Sequence, residues 1–273
     1  MEIVRAGGAR RARLRGAVLS RPLLTVPGLL PADPVHFRPY PSAPAEEASP
    51  VNVLLSGIVG STAYGLAHAG SDLDRLGLFA APTVAFHGLH RPVESHVTTA
   101  PDRTLHEAAK WCRLALNGNP TATELVWLPE ELYEVRTPLG EELIGLRESF
   151  LSGPAVRRAY LGYADQQLRK LAARDRTDPA GRARAAKHAR HLVRLVRQGV
   201  GLHETGQLEI RLPDPEHVRV LGERYADRPE DATALLADAA ARFDRPGTLP
   251  AAPDERPAEA WLHRVRAAHL PTP

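Results

Sequence analysis

Proline is so frequent in the first fifty residues that no long helix or central strand fits there. Each proline fixes its own backbone torsion, lacks an amide donor and restricts the residue before it. The prolines of this stretch are Pro22, Pro27, Pro31, Pro34, Pro39, Pro41, Pro44 and Pro50. We therefore predict that residues 1–50 are a disordered N-terminal extension and that the folded protein begins at Val51.

An apolar, β-branched run from Val51 to Val59 follows the last of these prolines and predicts a buried strand. Similar but shorter runs predict strands at Leu73–Phe79 and Val93–Thr98, and the alternation of Leu208, Ile210 and Leu212 with charged residues predicts a further short strand. Strands therefore concentrate in the first half of the folded part.

Helical periodicity dominates the rest of the chain. Thr121 and Glu124 have the spacing of a capping box, which predicts the start of a short helix that ends near Leu128. The other predicted helices are His106–Leu116, Ala155–Leu171, Ala183–Val200, Pro229–Phe243 and Pro257–His269. Strands followed by helices predict an α+β fold, with a mainly helical C-terminal region.

Composition excludes several classes of protein. With 43% hydrophobic and 25% charged residues in 273, the chain has the composition of a globular protein and room for one large or two small domains. A single cysteine, Cys112, allows no internal disulfide, and no Cys/His spacing indicates a zinc site. No run of about 18 uncharged apolar residues is present, so we expect no membrane span. We expect a cytoplasmic protein.

Charge is strongly segregated along the chain. Residues 51–150 carry seven basic and twelve acidic side chains, whereas residues 151–200 carry twelve Lys/Arg and three Asp. This pattern has two interpretations. Metal-binding carboxylates can share one site with a basic surface that binds polyphosphate or nucleic acid, or the basic segment can be an ordinary solvated helix.

One motif lies between the first two predicted strands. Gly60 and Ser61 follow the first strand, and Asp72 and Asp74 open the second. If both acids lie in the strand, their side chains share one face about 7 Å apart and can bind the same divalent cations. Gly60 allows close backbone approach, so Gly60 and Ser61 are candidate nucleotide-binding residues. The alternative is a simple turn followed by two solvated acids.

Along the chain, a predicted strand is followed by Gly-Ser, ten further residues and Asp-x-Asp. This order resembles the signature of the polymerase beta nucleotidyltransferase superfamily. Within it, the chain is similar to the RNA repair pathway nucleotidyltransferase family over roughly Val51 to Phe243. The segments that carry this similarity are Gly60–Leu66, Ser71–Phe79, Lys110–Glu124 and Lys187–Arg194. The resemblance implies a small mixed sheet with flanking helices, a catalytic domain over residues 51–150 and a helical domain over residues 151–273.

The resemblance also implies phosphoryl transfer assisted by two Mg²⁺ ions, for which Mn²⁺ can substitute. Asp72 and Asp74 would be catalytic metal ligands, and a third carboxylate is required. Asp102 is the first choice, with Glu94 and Glu107 as rivals. Asp102 also fits the start of the predicted helix that follows it, because acids favour that end.

Lys187, His191, Arg194 and, less closely, Arg190 recur at helical spacing and form a predicted cationic stripe. By the family resemblance we interpret Lys187, His191 and Arg194 as nucleotide-binding residues, since cations offset the charge of a triphosphate. A solvated amphipathic face is the alternative. We interpret His188 as a structural histidine with a hydrogen-bond partner.

The predicted function is Mg²⁺-dependent transfer of a nucleoside monophosphate from a nucleoside triphosphate to an acceptor hydroxyl, with an RNA end as the acceptor that the family implies. Two alternatives remain open. The acceptor can be a protein or a small molecule, or the fold can serve as a non-catalytic nucleotide sensor. Retention of Gly60, Ser61, Asp72 and Asp74 together argues against the sensor, which needs no carboxylates.

The extension allows two predictions, because five of its seven arginines lie between Arg5 and Arg15. As an arm for RNA phosphates it would make RNA binding depend on salt. We instead expect it to be dispensable, so that residues 51–273 are as stable and active as the whole chain, because a proline-broken segment buries little apolar surface.

Overall fold

The computed structural model describes residues 51–175 and 177–271. The predictions for residues 1–50 therefore lie outside the described residues. Within the described parts, no helix is both long and apolar enough to cross a bilayer.

Five strands form one mixed sheet in the described part of the chain, and the α+β class is confirmed. The spatial order is β3-β4-β2-β1-β5, and only the β2–β4 pair is parallel. The strands are β1 (Asn52–Ile58), β2 (Arg75–Ala80), β3 (Ser95–Thr99), β4 (Asp102–Glu107) and β5 (Tyr133–Arg136). The register of the parallel pair sets Arg75 opposite Arg103, so the residues just before these two arginines are neighbours at the same edge.

Helices flank the sheet and make up most of the described chain after β5. They are α1 (Gly60–Tyr64), α2 (Ala108–Leu116), α3 (Pro120–Glu124), α4 (Pro138–Gly145), α5 (Gly153–Ala172), α6 (Pro179–Thr205), α7 (Pro215–Asp227), α8 (Asp231–Phe243) and α9 (Glu255–Ala268). Three of them begin with an Asn or Asp cap followed by proline, at Asn119, Asp178 and Asp214. Such a cap accepts a free amide hydrogen, and proline at the first position has no amide hydrogen to lose.

The main apolar core is continuous from the sheet into the helices. It includes Leu55 of β1, Trp111 of α2 and Tyr160 of α5, all fully buried. The predicted packing of α5 against α6 is confirmed, and it is close because Gly199 of α6 faces the Tyr160 ring, where a Cβ would approach to 2.6 Å. The core crosses residue 150, and the division into domains at this residue stays a prediction.

Two predicted element boundaries are wrong. His106 lies in β4 rather than at the start of a helix, because β4 pairs with both β2 and β3 and only then passes into α2. The capping box is also wrong, since Asn119, not Thr121, caps α3, and Glu124 is buried. At β4, tertiary pairing overrides a local signal, whereas at α3 one local cap, Asn119 before a proline, takes the place of another.

The predicted short strand at Leu208–Leu212 is absent from the structure, which has irregular backbone there. Leu208, Ile210 and Leu212 are nevertheless buried, so the alternation correctly marks inward-facing side chains. The Gln198 amide of α6 donates to the backbone carbonyl of Ile210 at 3.2 Å. A side chain thus satisfies a backbone group that a strand partner would otherwise satisfy.

Candidate active site

A cavity of about 600 Å³ opens between the sheet and α6. Its lining includes residues from α1, the turn before β2, β4, α3 and α6. The first-choice site residues of the sequence analysis all lie on it: Gly60, Ser61, Asp72, Asp74, Asp102, Lys187, His191 and Arg194. Residues distant in sequence therefore meet at one site.

Gly60 begins α1 and lies directly against an acid of the motif. Its φ of +70° is in the left-handed region, and a Cβ at this position would lie 2.2 Å from Asp74 Oδ2. The amide of Val59 also donates to the backbone carbonyl of Asp74 at 3.0 Å. Only glycine allows both this backbone conformation and this contact without strain.

The acidic pair precedes β2 rather than lying within it, because the strand begins at Arg75. Predicting Asp72 and Asp74 as strand residues on one face is therefore wrong in its secondary structure, although both line the cavity. Asp102 begins β4, beside β2 in the parallel register. Partial burial and the nearby charge of Asp102 raise the pKa of Asp74, and Lys187 partly opposes this effect. These carboxylates thus repel one another.

The two rivals for the third carboxylate lie outside the cavity lining. Glu94 forms an ion pair with Arg113, with an N–O distance of 2.6 Å. Glu107 is buried, accepts the Ala109 amide at the start of α2 and pairs with Arg266 at 2.7 Å. Both acids therefore have structural partners, whereas Asp102 lines the cavity, and its role as the third carboxylate stays a prediction.

In the described residues, no three His, Cys, Asp or Glu side chains have the arrangement of a ready metal centre. The cavity lining nevertheless includes the carboxylates of Asp72, Asp74 and Asp102 besides that of Glu124, and Asp74 is within electrostatic reach of the other two aspartates. The donor atoms of these aspartates are all oxygen. This is the donor chemistry that Mg²⁺ and Mn²⁺ favour, with water and substrate phosphate as further ligands. The residues present fit a divalent cation.

The predicted cationic stripe of α6 divides into dissimilar parts. Lys187 is exposed, whereas the Arg194 side chain is only 3% exposed. Arg190 contacts Glu223 of α7 at 3.4 Å. A uniform solvated face is therefore not what the structure has, because the second half of α6 is enclosed by neighbouring elements.

Arg194 is held from several directions. Its Nη1 donates to Gln198 Oε1 at 2.6 Å, and its guanidinium carbon lies 4.1 Å from the centre of the Tyr64 ring. Nη1 is also 4.0 Å from Glu124 Oε2, while Nε is buried without a hydrogen-bond partner in the described residues. The Arg194 charge is thus fixed in position at the cavity surface.

His191 contributes no positive charge, contrary to its inclusion in a cationic stripe. Burial, followed by Arg194, lowers the pKa of His191 to about 3, so its ring is neutral. Since a guanidinium can only donate, His191 Nε2 accepts from Arg194 Nη2 at 3.2 Å. His188 has Gln167 as partner at 2.9 Å, as predicted.

Glu124 and Tyr64 complete this part of the cavity, and the sequence analysis missed them as site residues. The Tyr64 hydroxyl donates to Glu124 Oε2 at 2.5 Å. Burial raises the pKa of Glu124 to about 7, an effect that Arg194 opposes. An acid directly before the apolar residues 125–128 was the available signal. His106 and Thr104 of β4 also line the cavity and were missed.

This combination of a mixed sheet, a glycine turn and paired acids is the arrangement expected of a polymerase beta-like nucleotidyltransferase. The model of the RNA repair pathway DNA polymerase beta family, RlaP, matches residues 43–241, and the chain belongs to this family. Membership indicates nucleotidyltransferase activity in RNA repair. The search of curated proteins found no match.

Proposed function

We propose that this protein transfers a nucleoside monophosphate from a nucleoside triphosphate to the hydroxyl of an RNA end, in a reaction that depends on Mg²⁺. The observation that carries the proposal is the convergence of Asp72, Asp74 and Asp102 on one cavity that also contains Lys187 and Arg194. Within residues 51–175 and 177–271 these acids form no salt bridge, and acids that share a cavity with cations suit a ligand that brings both metal ions and phosphates.

Asp72, Asp74 and Asp102 would hold two divalent ions. Bound there, the ions would neutralise the triphosphate and lower the pKa of the attacking hydroxyl. Polymerase beta-like nucleotidyltransferases generally use divalent metals, which agrees with the all-oxygen donor set.

The cations of α6 would offset the remaining phosphate charge. Lys187 supplies a solvent-exposed charge at the cavity, and Arg194 supplies a buried charge held by Gln198. His191 acts through Arg194 as a positioning residue, since its Nε2 is already an acceptor for that guanidinium. Gly60 and Ser61 allow the backbone to approach the triphosphate closely.

In the proposed reaction the acceptor oxygen attacks the α-phosphorus. A new P–O bond forms to the acceptor, the bond between the α-phosphorus and the bridging oxygen breaks, and pyrophosphate leaves. The hydroxyl proton passes to solvent. The chain's own contribution is to position the two substrates and stabilise the charge that develops.

Incubation with α-³²P-labelled triphosphates and Mg²⁺ tests the proposal, in parallel reactions with RNA, without RNA, and with EDTA. We expect labelled RNA and released pyrophosphate only in the first reaction, and neither with the Asp72→Asn variant. Label on the protein itself would instead support the alternative acceptor class. Binding of triphosphate without any transfer would support the sensor and overturn the proposal.

A further inference from the structure

Strand β4 presents three polar side chains to the cavity. Asp102, Thr104 and His106 alternate along it and all line the cavity, whereas Leu105 points to the opposite face and is buried. His106 is four residues from Asp102, about 13 Å along a strand. His106 and the Asp102 carboxylate therefore lie at opposite ends of this row of three side chains. The distance between these ends is comparable with the length of a nucleoside.

A chain of hydrogen bonds fixes the state of the His106 ring. Lys110 Nζ lies 2.8 Å from Ser95 Oγ, and Ser95 Oγ lies 2.8 Å from His106 Nδ1. A lysine ammonium only donates, so the Ser95 oxygen accepts there, and we assign its own hydrogen to the bond with Nδ1. Ser95 and His106 are directly paired across β3 and β4, which keeps this contact in register.

Because Nδ1 accepts, the single proton of the neutral ring is on Nε2. The ring is neutral since partial burial, followed by the Lys110 charge, lowers the pKa of His106. Nε2 has no hydrogen-bond partner in the described residues, and the ring borders the cavity. With this assignment the ring is a neutral N–H donor that borders the cavity and is available to a ligand.

We propose that His106 is a specificity-determining residue whose Nε2–H donates a hydrogen bond to an acceptor atom on the nucleobase of the bound triphosphate. This inference rests on the proposed function, because it takes the phosphates to lie near Asp102 and Lys187. A neutral donor about 13 Å along β4 from Asp102 suits an uncharged base better than a phosphate. Bases differ in where they present acceptors, so a fixed donor discriminates among them.

Two substitutions distinguish the effect of the Nε2–H donor from the effect of the shape of the His106 ring. In His106→Gln the amide nitrogen can take the place of Nε2, whereas in His106→Asn the shorter amide reaches only the position of Nδ1. Affinities for ATP, GTP, CTP and UTP would be measured for the wild type and both variants without acceptor. Inorganic triphosphate is the control ligand, since it has no base.

We expect the wild type to prefer some triphosphates over others and His106→Gln to keep that order. In His106→Asn, the ratio between the best and the worst triphosphate should fall roughly three- to tenfold, the value of one hydrogen bond. Binding of inorganic triphosphate should not change. Equal affinities in the wild type, or an unchanged ratio in His106→Asn, would overturn the assignment.

A measurement on the unmodified protein gives independent support. Two-bond ¹H–¹⁵N correlations of the imidazole should show the Nε2–H tautomer, with an Nε2 shift when a nucleoside triphosphate is added but not with inorganic triphosphate. An Nδ1–H tautomer would overturn the proposal. Failure of the wild type to bind any triphosphate would overturn the proposed function as well. If His106→Asn still transfers nucleotide with the base preference of the wild type, only the role of His106 is overturned.

Discussion

On one side of the cavity, Asp72, Asp74 and Asp102 form no salt bridge with any described residue. On the other side Arg194 is buried, pairs with Glu124 and is fixed by Gln198. We name the first group the acidic wall and the second, with Tyr64 and His191, the arginine wall. Both border the same cavity, and they differ in whether their charges find partners inside the protein.

Because of this difference, we expect the two walls to contribute unequally to ligand binding and to the stability of the fold. The acidic wall holds like charges together, which costs free energy until a cation arrives. The arginine wall is compensated internally, so removing one member leaves another charge buried. Substitutions in the acidic wall should therefore affect chemistry, and substitutions in the arginine wall should also affect folding.

The largest effect should come from Asp74→Asn. Losing a carboxylate that would hold the metal should lower the transfer rate by more than about a thousandfold. The melting temperature in metal-free buffer should stay the same or rise, because repulsion from Asp102 is relieved. Transfer assays and thermal unfolding check this, with exposed Asp238→Asn as the control. A near-normal transfer rate in Asp74→Asn would contradict the proposal that Asp74 holds a catalytic metal ion.

Arg194→Met should act mainly on folding. It leaves Glu124 buried without its cation, which should lower the free energy of unfolding by about 3 to 5 kcal/mol at pH 8. Denaturant unfolding measures this, and the double variant with Glu124→Gln should recover part of the loss. Unchanged stability in the single variant would show that the two walls do not differ as described.

Glu124 gives the arginine wall a pH dependence. Its pKa rises from 4.5 to about 7 on folding, so between these values the folded state binds more protons than the unfolded state. The free energy of unfolding of the wild type, relative to Glu124→Gln, should therefore fall by up to about 3 kcal/mol as pH rises from 4 to 8. Urea unfolding at several pH values checks this. A difference in free energy of unfolding that does not change with pH would contradict the raised pKa of Glu124.

The smallest effect should come from Lys187→Gln. The Lys187 side chain is exposed, so its loss should leave the free energy of unfolding within about 0.5 kcal/mol of the wild type. Triphosphate affinity should fall several-fold, and less so at high salt, where surface charges are screened. Exposed Arg184→Gln, one turn away and outside the cavity lining, is the matched control for titrations. Equal affinities of the two variants would contradict a phosphate contact.

The sequence predicted those elements whose signals are local. The apolar run of β1 and the periodicity of α5 and α6 are properties of neighbouring residues, and all three elements are present, although α6 extends beyond the predicted Ala183–Val200 at both ends. In contrast, β4 has the polar sequence Asp-Arg-Thr-Leu-His-Glu, and its extended state depends on pairing with β2 and β3. The proline and aspartate at the start of α7 were a local signal that the sequence analysis did not use.

The candidate site divides in the same way. Gly60, Asp72 and Asp74 lie close in sequence, so their spacing was informative. The partners Tyr64 and Glu124 are 60 residues apart, and periodicity alone could not show that they enclose an arginine of α6. Burial of a charge depends on which elements pack around it, and that information is tertiary.

The close approach of Gly60 to Asp74 has a practical consequence. A methyl group at position 60 would need the space of a carboxylate oxygen and would also strain a backbone at φ +70°, which costs roughly 1–2 kcal/mol. Gly60→Ala should therefore displace the Asp74 carboxylate without changing the net charge of the protein. It is a charge-neutral knockout, with which long-range attraction of a polyanionic substrate can be measured apart from the chemistry that follows.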